Sequence, residues 1–158
     1  MISQLNLEQV NAFVADDPVR PHITATERTD PGRAVYALYE DKYAEFDEPD
    51  EDVKAIICVA YTNQVPTNEQ ELRLYTQQAC QDGQHGNIAV FYTVWSYSKG
   101  AGRDIILQTA RMIKEQQPHI ERMVTLSPLT EMAEKFHLRN GASLLDRYSD
   151  CQNFEYPM

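Results

Sequence analysis

The chain has 158 residues and a formal charge of −10, from 24 acidic and 14 basic side chains, a size that suits one domain around one core. No cluster of Lys and Arg is dense enough to follow a nucleic-acid backbone, so nucleic acid is excluded as the expected partner. No apolar run reaches the roughly 20 residues of a membrane span, and MISQLNLEQV lacks the basic and apolar regions of a signal peptide, so the expectation is a cytoplasmic protein without a membrane partner.

Ser3 or Asn6 can cap a first helix running to about Ala15, with Leu7, Val10, Phe13 and Val14 on one stripe, and Asp17-Pro18 stops it. Ile23 to Arg28 alternates like a strand. Thr29-Asp30-Pro31-Gly32 would turn it into Ala34 to Tyr39, so a hairpin is expected. The stretch Glu40 to Asp52 is too acidic to bury itself and reads as a solvated loop. Ala55 to Tyr61 is continuously apolar, as a central strand is. Asn68 can cap a helix from about Glu69 to Cys80, and a polar segment ending in Gly86 returns the chain to a strand from Ile88 to Ser96.

This strand, with Val94 and Trp95 in an aromatic and β-branched run, leads through Tyr97-Ser98-Lys99 into Gly100-Ala101-Gly102. From Arg103 to about Gln117 the apolar positions Ile106, Ala110 and Ile113 mark a helix packed by one face on a sheet. A glycine turn opening a helix leaves backbone N–H groups unpaired at the positive end of the helix dipole, a place for a phosphate. The third glycine of the dinucleotide fingerprint and the Gly-Lys-Ser/Thr of the triphosphate loop are both missing.

Further on, Arg122 to Leu126 reads as a short strand. Ser127, followed by Pro128 with Glu131 beyond, reads as the cap of a helix to about Leu138, which Asn140-Gly141 ends. Ala142 to Leu145 and Asn153 to Tyr156 are closing strands. Cys58, Cys80 and Cys151 are odd in number and far apart, so they read as free thiols. His22, His85 and His119 have no ligand-spaced companions, and no metal is expected.

Tyr97-Ser98-Lys99-Gly100-Ala101-Gly102 resembles the pyrophosphate-cradling motif of the GNAT acyltransferase superfamily, Gln/Arg-x-x-Gly-x-Gly/Ala, with Tyr97 departing at the first position. Ala133, Phe136, His137, Gly141 and Ala142 occupy the slots of a second pattern of that superfamily, with His137 in place of tyrosine and Ala142 in place of phenylalanine. The resemblance implies a single α/β (α+β) domain of GNAT-like fold, a mixed, mostly antiparallel sheet flanked by helices and opened between the fourth and fifth strands. It also implies acetyl-CoA or another acyl-CoA as co-substrate, and an amine, small or peptidyl, as acceptor; it allows a homodimer.

On that reading Lys99, Gly100, Ala101, Gly102 and Arg103 would hold the pyrophosphate, while Val94 and Trp95 would lie along the pantetheine arm. His137 would stand where the family's proton-donating tyrosine stands. Glu40, Asp41 or Glu45 would receive the amine's proton or attract a cationic acceptor. Met123 to Leu129 also looks like the Thr-Leu-Ser-Pro segment of malonyl-CoA decarboxylases, in which the serine is implicated in catalysis, so Ser127 is a second catalytic candidate beside its reading as a cap. Three functions stay open: an N-acyltransferase, another acyl-CoA enzyme such as a decarboxylase, and a non-catalytic CoA-binding or interaction module.

Overall fold

The computed structural model of the chain describes residues 1–40, 53–81 and 85–158. In chain order these form β1 (Ile2–Gln4), α1 (Leu7–Asn11), a 3-10 turn (Val14–Asp16), α2 (Ala25–Arg28), β2 (Arg33–Tyr39) and β3 (Val53–Thr62). Then come α3 (Glu69–Gln81), β4 (Ile88–Ser96), α4 (Ala101–Gln116), β5 (Arg122–Thr125), β6 (Ser127–Pro128), α5 (Glu131–Arg139), β7 (Ser143–Arg147) and β8 (Cys151–Tyr156). The acidic stretch Asp41 to Asp52, with Asp41 and Glu45, lies outside the described residues.

All the strands belong to one sheet in the order β1-β2-β3-β4-β5-β8-β6, with β7 on β8. β4 and β5 are parallel and the other pairs antiparallel. Alternation along β3 explains the two cores. Ile56, Cys58 and Ala60 face Val10 of α1, Ala25 of α2 and Leu72 of α3. Ala55, Ile57 and Val59 face Ile105, Ile106 and Ile113 of α4. Helices therefore cover both faces, which is why β3 reads as an unbroken apolar run. Among the described residues no helix is long and apolar enough to cross a membrane.

The N-terminal third differs from the expectation. No hairpin joins Ile23–Arg28 to β2, because residues 25–28 are the helix α2, capped by Thr24 Oγ1, which accepts from Glu27 N–H at 3.1 Å. β2 pairs with β1 and β3 instead. The first helix is also short. Ser3 lies in β1, and Asn6 caps α1 in a reciprocal box with Gln9.

Ser127 caps no helix: it is buried in β6, and Thr130 Oγ1 caps α5 by accepting from Ala133 N–H at 3.2 Å. Pro128, taken for the first helical residue, instead pairs with Cys151 of β8.

Candidate functional site

The β4–β5 ladder begins at Ile88 opposite Arg122 and stops at Phe91 opposite Thr125, with a last bond from Leu126 N–H to the Phe91 carbonyl at 3.0 Å. After that β6 turns to pair with β8, while β4 runs on to Ser96. The strands part and leave a cleft of about 990 Å³. Val94, Trp95 and Gly102 line one side, and Leu126, Ser127, Phe136 and His137 the other.

β4 is bulged at the point of parting. Phe91 faces Val59 and Thr93 faces Cys58, so Tyr92 is an extra residue in its strand, and a bulge of this kind re-aims the groups beside it. The segment from Asp16 to Arg20, which also lines the cleft, takes up the re-aimed groups. The Arg20 guanidinium donates to the Tyr92 carbonyl, Thr93 Oγ1 donates to Asp17 Oδ2 at 2.9 Å, and Tyr97 Oη donates to Asp16 Oδ2 at 2.7 Å.

Asp17 anchors this wall. Its Oδ1 accepts from the N–H groups of Val19 and Arg20, both at 2.9 Å, and its Oδ2 pairs with Arg28 Nη1 at 2.9 Å, both side chains being 0 % exposed. Burial alone would raise the Asp17 pKa, but the two N–H bonds and the guanidinium hold it below the ordinary carboxylate value.

At the end of β4 the chain turns through Gly100, whose φ of +82° suits glycine and which begins α4 without a side-chain cap. Ala101 N–H bonds to Ser98 O and Asp104 N–H to Gly100 O, both at 3.2 Å. Among the described residues the N–H groups of Gly102 and Arg103 have no such partner, as expected in a first helical turn. A side chain at Gly102 would touch the Phe136 ring, 3.4 Å from its Cβ position. Lys99 and Arg103 are exposed beside this turn, and neither is in an ion pair among the described residues.

His137 is 7 % exposed. Its ring stacks on Phe154 at 5.2 Å, and Nδ1 is 2.8 Å from Tyr156 Oη. Burial pushes its pKa from the ordinary 6.5 down to about 4, so the imidazole is neutral at pH 7. Ser127 Oγ is 2.7 Å from Thr125 Oγ1.

No protein-family model matches the chain, and no curated protein sequence does. Solved structures do match. The PaiA N-acetyltransferase of Thermoplasma acidophilum, in complex with coenzyme A, superposes with a TM-score of 0.64 at 10 % identity, over 100 % of this chain and 98 % of its own. A spermidine N-acetyltransferase SpeG chimera from Vibrio cholerae gives 0.58 at 10 %, over 99 % and 94 %. The fold is GNAT-like. Malonyl-CoA decarboxylase from Agrobacterium vitis matches with a TM-score of 0.59 at 18 % identity, over 86 % of this chain but 35 % of its own, so the chain spans about a third of that enzyme's length.

Within this GNAT-like frame the expected residues fall into two groups. Val94, Trp95, Gly102, Ser127 and His137 meet at the cleft, while Lys99, Gly100, Ala101 and Arg103 form the turn at the start of α4 beside it. Glu40 is not part of the cleft and lies 3.8 Å from Lys54. Asp16, Asp17, Arg20 and Thr93 were not legible as site residues, since the partners in these bonds lie 72 to 81 positions apart. The only local sign was the Asp17-Pro18 stop, which reads as a helix end.

Proposed function

We propose that the protein is an acyl-CoA-dependent N-acyltransferase, with acetyl-CoA as the first donor to test, that passes the acyl group directly to an amine. The observation that carries this reading is the turn at Gly100. There an uncapped helix start, two N–H groups without partners among the described residues, and the cations Lys99 and Arg103 stand beside the cleft that opens where β4 leaves β5. That set fits a pyrophosphate, and the parted strands fit the arm that follows it.

A bound thioester would supply an activated acyl group. The chain's own residues orient it between β4 and the Ser127 side, and the apolar lining of Val94, Trp95, Leu126 and Phe136 keeps water from it. The neutral amine attacks the carbonyl carbon, the C–N bond forms as the C–S bond breaks, and the proton lost by the amine nitrogen passes to the departing thiolate. In the tautomer whose Nδ1 accepts from Tyr156 Oη, the neutral His137 ring carries its proton on Nε2 and can offer it to the sulfur from the cleft lining. It acts as a hydrogen-bond donor and not as an imidazolium.

Calorimetry with CoA tests the binding half. Wild type is expected to bind, and Gly102→Val to bind at least about tenfold more weakly, because a branched side chain there bars close approach to the backbone and presses on Phe136. Equal affinities in the two proteins would end this reading.

The decarboxylase reading is favoured by a separate observation, the buried Ser127 in the lining of the cleft, in a fold also found in malonyl-CoA decarboxylase. Acetyl-CoA with a panel of amines, followed by free thiol, separates it from malonyl-CoA alone, followed by carbon dioxide. Amine-dependent thiol release supports transfer, and carbon dioxide without an amine supports the decarboxylase. Binding of CoA with silence in both assays would make the domain a non-catalytic module.

A further inference from the structure

We infer that Asp16 is the acceptor-recognition residue of the cleft, and that the acceptor is a primary amine on an apolar stem with no carboxylate of its own. This rests on the acyltransferase reading and adds to it the chemical class of the acceptor and the residue that selects it.

Asp16 and Tyr97 stand at the mouth of the cleft in a directed chain. Trp95 Nε1–H donates to Tyr97 Oη at 2.9 Å, and Tyr97 Oη–H donates to Asp16 Oδ2 at 2.7 Å. Burial pushes the Tyr97 hydroxyl up to about 12, so it stays protonated and donates to Asp16. Among the described residues Asp16 Oδ1 accepts no hydrogen bond. Among the described residues Asp16 is the one carboxylate lining the cleft, and it is exposed.

The same chain accounts for the departure at the head of the glycine motif. Tyr97 points its hydroxyl at Asp16 across the cleft mouth, not at the turn that follows it.

The neighbouring groups limit what the ammonium can be attached to. Pro18, Val19, Trp95 and Met132 line the same cleft as Asp16 and give it apolar surface, with Val19 39 % and Met132 82 % exposed. The guanidinium that lines the cleft, Arg20, is 2 % exposed and already donates to Glu69 and the Tyr92 carbonyl. It has no face to offer a substrate carboxylate, which would also meet Asp16 as a like charge. An arylalkylamine satisfies these groups and the corresponding amino acid does not.

The test uses the full chain with acetyl-CoA, phenethylamine and phenylalanine, following free thiol, with CoA affinity measured alongside. Wild type is expected to acetylate phenethylamine with kcat/KM at least about tenfold above phenylalanine. Asp16→Asn should raise the KM for phenethylamine about tenfold, the scale of one charge-assisted hydrogen bond from an exposed group, with CoA affinity unchanged. Asp16→Glu should restore most of the loss. The KM should rise with salt more steeply in wild type than in Asp16→Asn, a difference that a merely structural role for Asp16 would not produce.

Equal KM values in wild type and Asp16→Asn overturn the inference. So does phenylalanine used as well as phenethylamine, or a wild type that binds CoA and acetylates neither. Failure of wild type to bind CoA is a different result, because it removes the acyltransferase reading and the inference with it.

Discussion

His137 shows how far burial can move one side chain from the role its position implies. A histidine in the slot of a proton donor is expected to shuttle near neutrality. Enclosed by Phe136, Phe154 and Tyr156, this one titrates near 4. The pH profile of kcat is therefore expected to carry no His137 limb between pH 5 and 8, while His137→Ala lowers kcat and leaves CoA affinity unchanged. The unfolded chain takes up the proton near 6.5 and the folded one near 4, so stability is intact above about pH 7 and is lost as pH falls toward 4. The loss amounts to roughly 3 kcal/mol. Urea melts at pH 7 and pH 4.5 check this, since His137→Phe should lose less stability than wild type over that interval. A parallel loss in both proteins would place the acid sensitivity elsewhere.

Elements with strong internal signals were legible in the sequence. β4 was expected from Ile88 to Ser96 and is found there, and α3 and α4 fall within a few residues of expectation. Apolar periodicity and the glycine turn act over a few residues, and tertiary packing agrees with them. The misread elements are those whose ends are decided from outside. Ile23 to Arg28 alternates like a strand, but Thr24 caps a helix there and Arg28 is drawn inward to Asp17. Ser127-Pro128 carries the mark of a helix start, yet β8 takes both residues as a strand. The Asp17–Arg28 pair links α2 to the bulged half of β4, and breaking it strands a buried guanidinium. Asp17→Asn should cost about 3 to 5 kcal/mol in urea denaturation. A loss under 1 kcal/mol would mean that the pair is not what holds that wall.

At the scale of the whole molecule, the cleft exists because one sheet follows two partners. β5 stays with β4 as far as Phe91, and β6 then leaves for β8. Most of the strands were legible from residue pattern, β1 and β6 excepted, while the parting was expected from the GNAT resemblance alone, because no residue type marks the place where a ladder stops. The acidic balance of the chain adds a field that favours cationic acceptors over anionic ones. The wall built by residues 16–20 also has a consequence in time. Its bonds to β4 and to Tyr97 just beyond it join residues 72, 76 and 81 positions apart, so its attachment to the sheet cannot form early. A growing chain emerging from the ribosome makes Asp17 and Arg28, which can pair with each other, long before Thr93, so the wall has no strand to attach to until β4 arrives. The cleft is thus among the last parts of the domain to assemble. In pulsed hydrogen exchange during refolding, the amides of Val19 and Arg20 should gain protection after those of the β2–β3 ladder.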